Sequence, residues 1–232
     1  MQVVKKMVMD ENIPGLPGHC TEITAQKKKS DRVSLFVDDR FLAGFYRYAI
    51  KQAGVRIGSL ITEETYKKLL EEEERYRLRE QIYRWLSVRD QASGELREKS
   101  RAKGYATGRI EEVIHEFINK GLLDDQRYAG QFAETKYRSQ GWGPLKIRAA
   151  LSQKGIKKHY IDSALDGLFA DQTIEDDLVA AAQSVKLRLL RTEPGIRRKK
   201  KLTDFLIRRG FPGHVVYEKS DTVLKQLENE ET

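Results

Sequence analysis

The sequence has a single cysteine and no long apolar run, and both shortages narrow what the protein can be. Cys20 has no partner for an internal disulfide, which agrees with a reducing cytoplasm. No apolar stretch approaches the length of a membrane span, and no signal-peptide pattern opens the chain. We therefore expect a cytoplasmic protein that makes no use of a membrane.

The residue groups that usually carry catalysis are also missing. The four histidines are scattered, without a cysteine or carboxylate at metal-ligand spacing. Gly141-Trp142-Gly143 lacks the Lys-Ser/Thr ending of a phosphate-binding loop. The adjacent carboxylates Asp124–Asp125 and Asp176–Asp177 fall at predicted helix N-termini, where acids interact well with the helix dipole, so capping is favoured over metal binding. We expect no catalytic residue, no metal and no cofactor.

What the sequence does contain is one pattern used three times, centred on Gly104, Gly155 and Gly210. A glycine between two apolar helical stripes is typical of a helix end that needs a positive φ. The spacings are 51 and 55 residues (155 − 104 and 210 − 155), and such a period is the signature of a repeat architecture. The shared apolar positions lie eight residues before the glycine, one after it and six after it: Leu96, Ile147 and Leu202; Tyr105, Ile156 and Phe211; Ile110, Ile161 and Val216. Ser100 stands where the other copies have Leu151 and Leu206.

This pattern predicts a mainly α-helical fold of three tandem three-helix repeats in an elongated curved array. Each repeat has a leading helix followed by the glycine-jointed pair of helices. We place the repeats at residues 63–121, 122–171 and 172–232. A small antiparallel β/α module, a β-meander with a short helix, is predicted at residues 21–62, after a flexible tail at residues 1–20.

Alternating apolar residues indicate the strands of that module. Two strands are predicted at Glu22–Lys28 and Arg32–Asp38, around a turn at residues 29–31. A third strand follows Asp38–Asp39, although this pair is a weak hairpin signal because it has neither Gly nor Asn. A short helix from about Arg47 to Gly54 should pack on the strands.

The positive charge is concentrated near the third turn. The chain has a formal net charge of +8, which favours a polyanion or an acidic protein as partner. Residues 186–211 hold ten basic and two acidic side chains, a net charge of +8 (10 − 2), so the rest of the chain is formally neutral. Tyr105, Trp142 and Phe211 are candidates for stacking on bases, but we favour a core role for them. The basic residues predicted to form the interface are Arg138, Lys146, Arg148, Lys154, Lys157, Lys158, Arg197, Arg198, Lys199, Lys200, Lys201, Arg208 and Arg209.

Four stretches of the sequence match the motifs of one known protein family. They are Ser93-Gly-Glu95-Leu96 with Lys103-Gly104; Gly121-Leu-Leu-Asp124-Asp125-Gln-Arg127-Tyr128-Ala129; Gly143-Pro144 with Ile147, Leu151 and Lys154-Gly155-Ile156; and Phe205-Leu206 with Arg209-Gly210-Phe211. These stretches resemble the RecX family, the regulators of the RecA recombinase, and the resemblance covers about Ile23 to Leu227. The second stretch, with Asp124, Asp125, Arg127 and Tyr128, is the most specific.

The resemblance implies a function in DNA repair, homologous recombination and the SOS response. RecX proteins are tandem three-helix repeats that bind in the groove of the RecA–single-stranded DNA filament. They lower its ATPase, strand-exchange and coprotease activities and have no catalytic activity of their own. By this resemblance we expect a monomer whose partners are the RecA filament, single-stranded DNA and also double-stranded DNA.

Two other functions remain open on the residues alone. Glycine-jointed short helices also describe helix-turn-helix transcription regulators, whose affinity would depend on operator sequence. A metal-dependent nuclease would use Asp124, Asp125, Asp176 and Asp177 and require magnesium. The repetition of the same turn in all three copies argues against the first alternative.

Overall fold

The structure is a computed structural model that describes residues 15–27, 29–170 and 173–229. Most of the described residues are helical, and a small antiparallel sheet lies near the N-terminus, which confirms the predicted mainly α-helical fold with a β/α module before the helices. The chain forms two compact units. Of the described residues, unit 1 holds those up to 89 together with 96–119, and unit 2 holds 90–95 and those from 120 onward. Residues 1–14 of the predicted tail lie outside the described residues.

Unit 1 begins with a four-stranded sheet in the order β3-β2-β1-β4. The strands are β1 (Gly18–Gln26), β2 (Lys29–Val37), β3 (Arg40–Tyr46) and β4 (Leu60–Ile61), and α1 (Arg47–Ala53) follows β3. The alternation seen in the sequence sets one face of β2 into the core, where Val33, Leu35 and Val37 are buried. These side chains pack with residues of β1, β3 and α1.

Two predicted boundaries in this module are wrong. The sheet begins at Gly18, not after residue 20, because Gly18 and His19 pair with Ile61 and Leu60, and Cys20 is buried. Residues 29–31 belong to β2 and do not form a turn. The Asp38–Asp39 turn does form, with positive φ at both residues. The Asp38 carboxylate accepts a hydrogen bond from the His19 backbone N–H at 2.9 Å, which ties the turn to β1.

A buried carboxylate joins the sheet to the long helix α2 (Glu63–Leu86). Glu73 of α2 is 3% exposed and accepts hydrogen bonds from Arg32 Nη1 at 2.8 Å and from the Tyr46 backbone N–H at 2.6 Å. Arg77 donates to the same carboxylate at 3.2 Å. Arg32 also donates to the Gly44 carbonyl at 2.6 Å, so polar groups of the edge strand β3 are satisfied within the protein.

The rest of unit 1 comprises α2, most of α3 (Ser93–Ala102), and α4 (Thr107–Asn119), which packs on α2. Thr62 caps α2, as its Oγ1 accepts a hydrogen bond from the Thr65 backbone N–H. α3 and α4 form the first glycine-jointed pair. The apolar stripe of α4 is fully buried, at Ile110, Val113, Ile114 and Phe117. This burial follows from their helical spacing, which places all four on one face.

Unit 2 contains the second and third glycine-jointed pairs. Its helices are α5 (Asp125–Gln140), α6 (Pro144–Gln153), α7 (Lys158–Phe169), α8 (Ile174–Gln183), α9 (Lys186–Leu190), α10 (Ile196–Arg209) and α11 (Gly213–Asn229). The single leading helix predicted for the third repeat is wrong, because it breaks into α8 and α9 at Ser184–Val185. The break brings Leu178 of α8 and Leu189 of α9 into one core with Leu202.

The three glycine turns have the same backbone geometry. Gly104, Gly155 and Gly210 have φ angles of 82°, 75° and 93°. At each turn the glycine N–H donates to the carbonyl three residues earlier, and the next N–H donates to the carbonyl five residues before it. The acceptors of that second bond are Ser100, Leu151 and Leu206. A positive φ at the joint brings these donors and acceptors together. Glycine adopts that angle at little cost because it has no Cβ, so glycine is favoured at each joint.

Replacing Ser100 with alanine should stabilise the protein by about 1 kcal/mol. Ser100 is fully buried at the position that Leu151 and Leu206 occupy in the other pairs, and its Oγ has no hydrogen-bond partner among the described residues. Removing the hydroxyl relieves that desolvation cost and improves helix propensity. Urea unfolding measures the effect, with exposed Ser152→Ala as control for propensity alone. A Ser100 variant no more stable than this control would mean that the hydroxyl is hydrogen-bonded in solution.

Candidate nucleic-acid interface

In unit 2 the start of α6 rests directly on the turn between α10 and α11. The Gly143 N–H donates to the Arg209 carbonyl at 2.7 Å, and the Leu145 N–H donates to the Gly210 carbonyl at 3.0 Å. A Cβ on Gly143 would lie 2.7 Å from backbone atoms of Gly210 and Phe211. The two backbones therefore touch, which places Lys146 of α6 beside the basic C-terminal end of α10.

A similar contact occurs at the Gly155 turn. A Cβ on Gly94, in the first turn of α3, would lie 2.3 Å from the Lys154 carbonyl oxygen and 2.6 Å from the Gly155 Cα. The Asp125 carboxylate accepts hydrogen bonds from the Ser93 backbone N–H at 2.8 Å and from the Ser93 hydroxyl at 2.5 Å. Unit 2 therefore contains two contacts of the same kind, in which the first turn of one helix packs against a glycine turn.

The two contacts differ in charge. Glu95 and Lys146 both lie nine residues before their own turn glycine (104 − 95 and 155 − 146). Glu95 pairs with Lys154 at 2.8 Å. Burial lowers the pKa of Lys154, but hydrogen bonds to Glu95 and Tyr128 outweigh it, so the net shift of that pKa is upward. Lys146 instead faces the Arg208 carbonyl at 3.4 Å and has no ion pair within the described part of the chain.

Half-buried aromatic rings run between these contacts, accompanied by lysines. The rings of Tyr128 and Phe132 lie 6.2 Å apart and stacked, and Trp142 meets Phe132 edge-on at 6.4 Å. The ammonium of Lys146 lies 4.6 Å from the centre of the Trp142 ring, and that of Lys136 lies 5.1 Å from it. Rings flanked by cations suit the binding of unpaired bases and phosphates.

Lys136 is a candidate site residue that sequence reasoning missed, since its ammonium lies over Phe132 and Trp142. Its spacing of four residues from Phe132 on α5 was the available signal, since residues four apart share a helix face. Of the three aromatic candidates, Phe211 is 1% exposed and belongs to the core, whereas Tyr105 and Trp142 are half-buried.

The five consecutive basic residues near the start of α10 lie on different sides of the helix and therefore make different contacts. Arg197, Lys200, Lys201 and Arg208 lie on one exposed side, since they are spaced three, four and eleven residues from Arg197. Arg197, Lys200 and Arg208 have no ion-pair partner among the residues described, whereas Lys201 donates to Thr192 Oγ1 at 3.1 Å. Lys199 pairs with Asp221 at 2.7 Å.

Arg198 was predicted to lie in the interface, and the structure contradicts this prediction. Arg198 is 7% exposed, and its guanidinium donates to the carbonyls of Leu190 and Thr192 and pairs with Glu228 at 2.6 Å. These bonds hold the segment after α9 against α10. Arg198 is therefore a structural residue, because a side chain with its donors engaged inside the protein is not available to a ligand.

The remaining predicted basic residues are mostly paired. Arg138 pairs with Glu134 at 3.0 Å, and Arg148 pairs with Asp162. Lys158 lies 3.7 Å from the same carboxylate. The hydrogen bond from Arg148 is the main reason that the pKa of Asp162 is lowered. Lys157 is exposed, and Arg209 lies over the Phe205 ring at 4.8 Å.

The paired carboxylates serve the fold. Asp124 caps α5 by accepting from the Arg127 N–H at 2.9 Å. Asp176 accepts from Thr173 at the start of α8, and Asp177 accepts a hydrogen bond from the Tyr137 hydroxyl at 2.6 Å. Burial raises the pKa of Asp177, and burial together with this bond raises the pKa of Tyr137. No group of three or more metal-binding side chains occurs in the described ranges.

No helix in the part of the chain that the structure describes combines the length and the apolar character needed to cross a bilayer.

Comparison with known proteins gives consistent matches over most of the chain. The family model for the second three-helix domain of RecX matches residues 124–165. A regulatory protein RecX from Chlorobaculum tepidum is 36% identical over 141 residues, which cover 61% of this chain and 84% of the relative. One from Clostridium perfringens (strain 13 / Type A) is 27% identical over 216 residues, or 92% of this chain and 98% of the relative.

Two crystal structures share the fold. That of a regulatory protein RecX matches with a TM-score of 0.73 at 22% identity, and the match covers 88% of this chain and 99% of the other. That of RecX from Lactobacillus salivarius matches with a TM-score of 0.57 at 22% identity, covering 67% of this chain and 97% of the other. At this identity the likeness concerns the fold alone.

Proposed function

This chain belongs to the RecX family of regulatory proteins, and we propose that it regulates the RecA recombinase by binding in the groove of the RecA–single-stranded DNA filament. Bound there, it lowers the ATPase, strand-exchange and coprotease activities of RecA. It acts as a cytoplasmic monomer without catalysis of its own, through contacts with the filament and with single- or double-stranded DNA.

The observation that supports this proposal is the cationic surface of unit 2. It combines the exposed side of α10, where Arg197, Lys200 and Arg208 have no ion pair with any described residue, with Lys146 beside Trp142. Cations that are not neutralised inside the protein are the ones that release counterions from DNA on binding. The partly exposed rings add a surface on which unpaired bases stack.

Hydrolysis of ATP by RecA on single-stranded DNA tests the function directly. Adding increasing amounts of this protein to a preformed filament should lower the hydrolysis rate in a saturable manner. The same titration without DNA, where RecA forms no such filament, is the control for nonspecific effects. A rate that stays constant at a several-fold excess over RecA would contradict the proposal.

The double variant Lys200→Ala/Arg208→Ala should flatten the salt dependence of binding to single-stranded DNA. Each lost phosphate contact lowers the slope of log affinity against log salt by about 0.7, so two contacts lower it by up to about 1.4. Fluorescence anisotropy of labelled oligo(dT) over a range of salt concentrations measures the slope.

The matched control is Lys67→Ala/Lys68→Ala on α2, which removes the same net charge from exposed positions in unit 1. This control should keep the native slope. Equal slopes for the two double variants would show that net charge, and not the exposed side of α10, governs DNA binding.

The helix-turn-helix alternative predicts a different result when the affinity is measured with duplex DNA of different sequences. A transcription regulator would discriminate between duplexes of different sequence by about 10³-fold or more. The proposed interface consists of cations and aromatic rings, which recognise backbone and unpaired bases with little sequence preference. Affinities that vary little among duplex sequences would therefore count against the alternative.

A further inference from the structure

The β/α module of unit 1 has an open cavity of mixed lining between its sheet and α1. The cavity has a volume of about 320 Å³, and its apolar lining comes from Ile23, Val33, Ile50 and Val55. Val33, Ile50 and Val55 are buried and belong to the module core, whereas Ile23 is partly exposed. Val33, Ile50 and Val55 expose 6% of their surface or less, so the cavity reaches the core mainly beside Ile23, and its volume is large enough for a side chain of leucine or methionine size.

Three basic side chains surround this cavity. Arg47, Lys51 and Arg56 contribute to its lining, and all three are exposed. None has an ion pair or side-chain hydrogen bond among the described residues, in contrast to Arg32 of the same module, which pairs with Glu73. Arg47 and Lys51 lie four residues apart on α1, where like charges repel each other. An anionic partner would relieve that repulsion.

The lining of the cavity distinguishes between two kinds of anionic partner. Nucleic acid bases bind to aromatic rings by stacking, and none of the described residues that line this cavity is aromatic. Aliphatic walls instead favour burial of an aliphatic side chain, because apolar surface is then removed from water. Three cations around such a pocket suit carboxylates on either side of that side chain.

We propose that the β/α module binds an acidic segment of a partner protein. One aliphatic side chain of the segment enters the cavity, and neighbouring Asp or Glu side chains pair with Arg47, Lys51 and Arg56. This site is separate in sequence from the cationic surface of unit 2, and it does not depend on the function proposed above.

The test uses the full chain, labelled with ¹⁵N, and a blocked peptide of the sequence Asp-Glu-Asp-Leu-Asp-Glu-Asp. Adding the peptide should shift the backbone amide resonances of Ile50, Val55 and Arg56. A peptide with serine in place of leucine should bind at least about tenfold more weakly, because it lacks the side chain that the cavity buries. No shift at these amides, or equal affinity for both peptides, overturns the proposal.

Matched variants and a nucleic-acid probe complete the experiment. Lys51→Ala/Arg56→Ala should weaken binding of the leucine peptide at least fivefold, whereas Lys67→Ala/Lys68→Ala should leave it unchanged. All four residues are exposed, so neither double variant removes core packing. A hexamer of thymidylate that shifts the same amides more strongly than the peptide would make the cavity a nucleic-acid site and overturn the assignment to an acidic protein.

Discussion

Replacing Gly210 with alanine should lower the free energy of unfolding of unit 2 by about 2–4 kcal/mol. Gly210 has a φ of 93°, a conformation that alanine adopts at a cost. The new Cβ would also lie 2.4 Å from the Lys146 Cβ and 2.5 Å from the Lys146 backbone nitrogen. Since a backbone atom cannot move aside as a flexible side chain can, the start of α6 must shift away from the turn.

Tryptophan fluorescence allows this effect to be measured in unit 2 alone. The chain has two tryptophans, Trp85 in unit 1 and Trp142 in unit 2. In a Trp85→Phe background, Trp142 reports urea unfolding at the contact between α6 and the Gly210 turn. A loss of about 3 kcal/mol corresponds to a fall in melting temperature on the order of 10 °C.

Two other glycines separate backbone strain from the close contact. Gly121 has a φ of 66°, but a Cβ added there would have no atom within 4 Å, so Gly121→Ala should cost only about 1 kcal/mol. Gly130 lies within α5 with open space around it, and Gly130→Ala should stabilise by up to about 1 kcal/mol. If Gly210→Ala costs no more than Gly121→Ala, the backbone contact between α6 and the turn is absent in solution.

Replacing Glu73 with alanine should cost about 3–5 kcal/mol in unit 1. The substitution leaves Arg32 without the carboxylate that neutralises it, although the Arg32 side chain is only 13% exposed. It also removes the acceptor of the Tyr46 N–H, a backbone donor of the edge strand. Both losses are desolvation penalties, which are larger than the net worth of the bonds themselves.

The control for Glu73 is an ion pair of the same type on the surface of unit 1. Glu98 is 75% exposed and pairs with Arg101, so Glu98→Ala should change stability by no more than about 0.5 kcal/mol. Arg32→Met combined with Glu73→Leu should recover part of the loss, because no buried cation is then left unpaired. Trp85 fluorescence in a Trp142→Phe background measures all three variants. Similar losses for Glu73→Ala and Glu98→Ala would show that the Glu73 carboxylate is hydrated.

Local features of the chain were predictable because their causes are local. The glycine turns depend on a backbone angle and on the residues within five positions of the glycine, all visible in sequence. The caps at Thr62, Asp124 and Thr173 follow from the same short-range chemistry. The break between α8 and α9 was not visible in the sequence, because Val185 continues the apolar stripe of α8, whereas the core that Leu178 and Leu189 share with Leu202 exists only in the folded chain.

The candidate site likewise has some features that the sequence predicts and others that only the folded chain determines. That positive charge gathers near the third turn is a property of the sequence. Which of those charges face solvent depends on partners far away along the chain, such as Glu228 for Arg198 and Asp221 for Lys199. The prediction treated the five consecutive cations as one group, whereas the rotation of about 100° per residue in α10 distributes them around the helix.

By itself, the sequence determined the helical repeat, the position of each glycine joint and the region that carries the positive charge, because these depend on spacing and composition. Tertiary structure alone decided that Gly143 rests on the Gly210 turn, that Glu73 binds Arg32, and that Arg198 is internal. Each of these contacts joins segments at least 30 residues apart or depends on which side of a helix is covered. No pattern within one segment reveals its partner, since the packing that pairs them exists only in the folded chain.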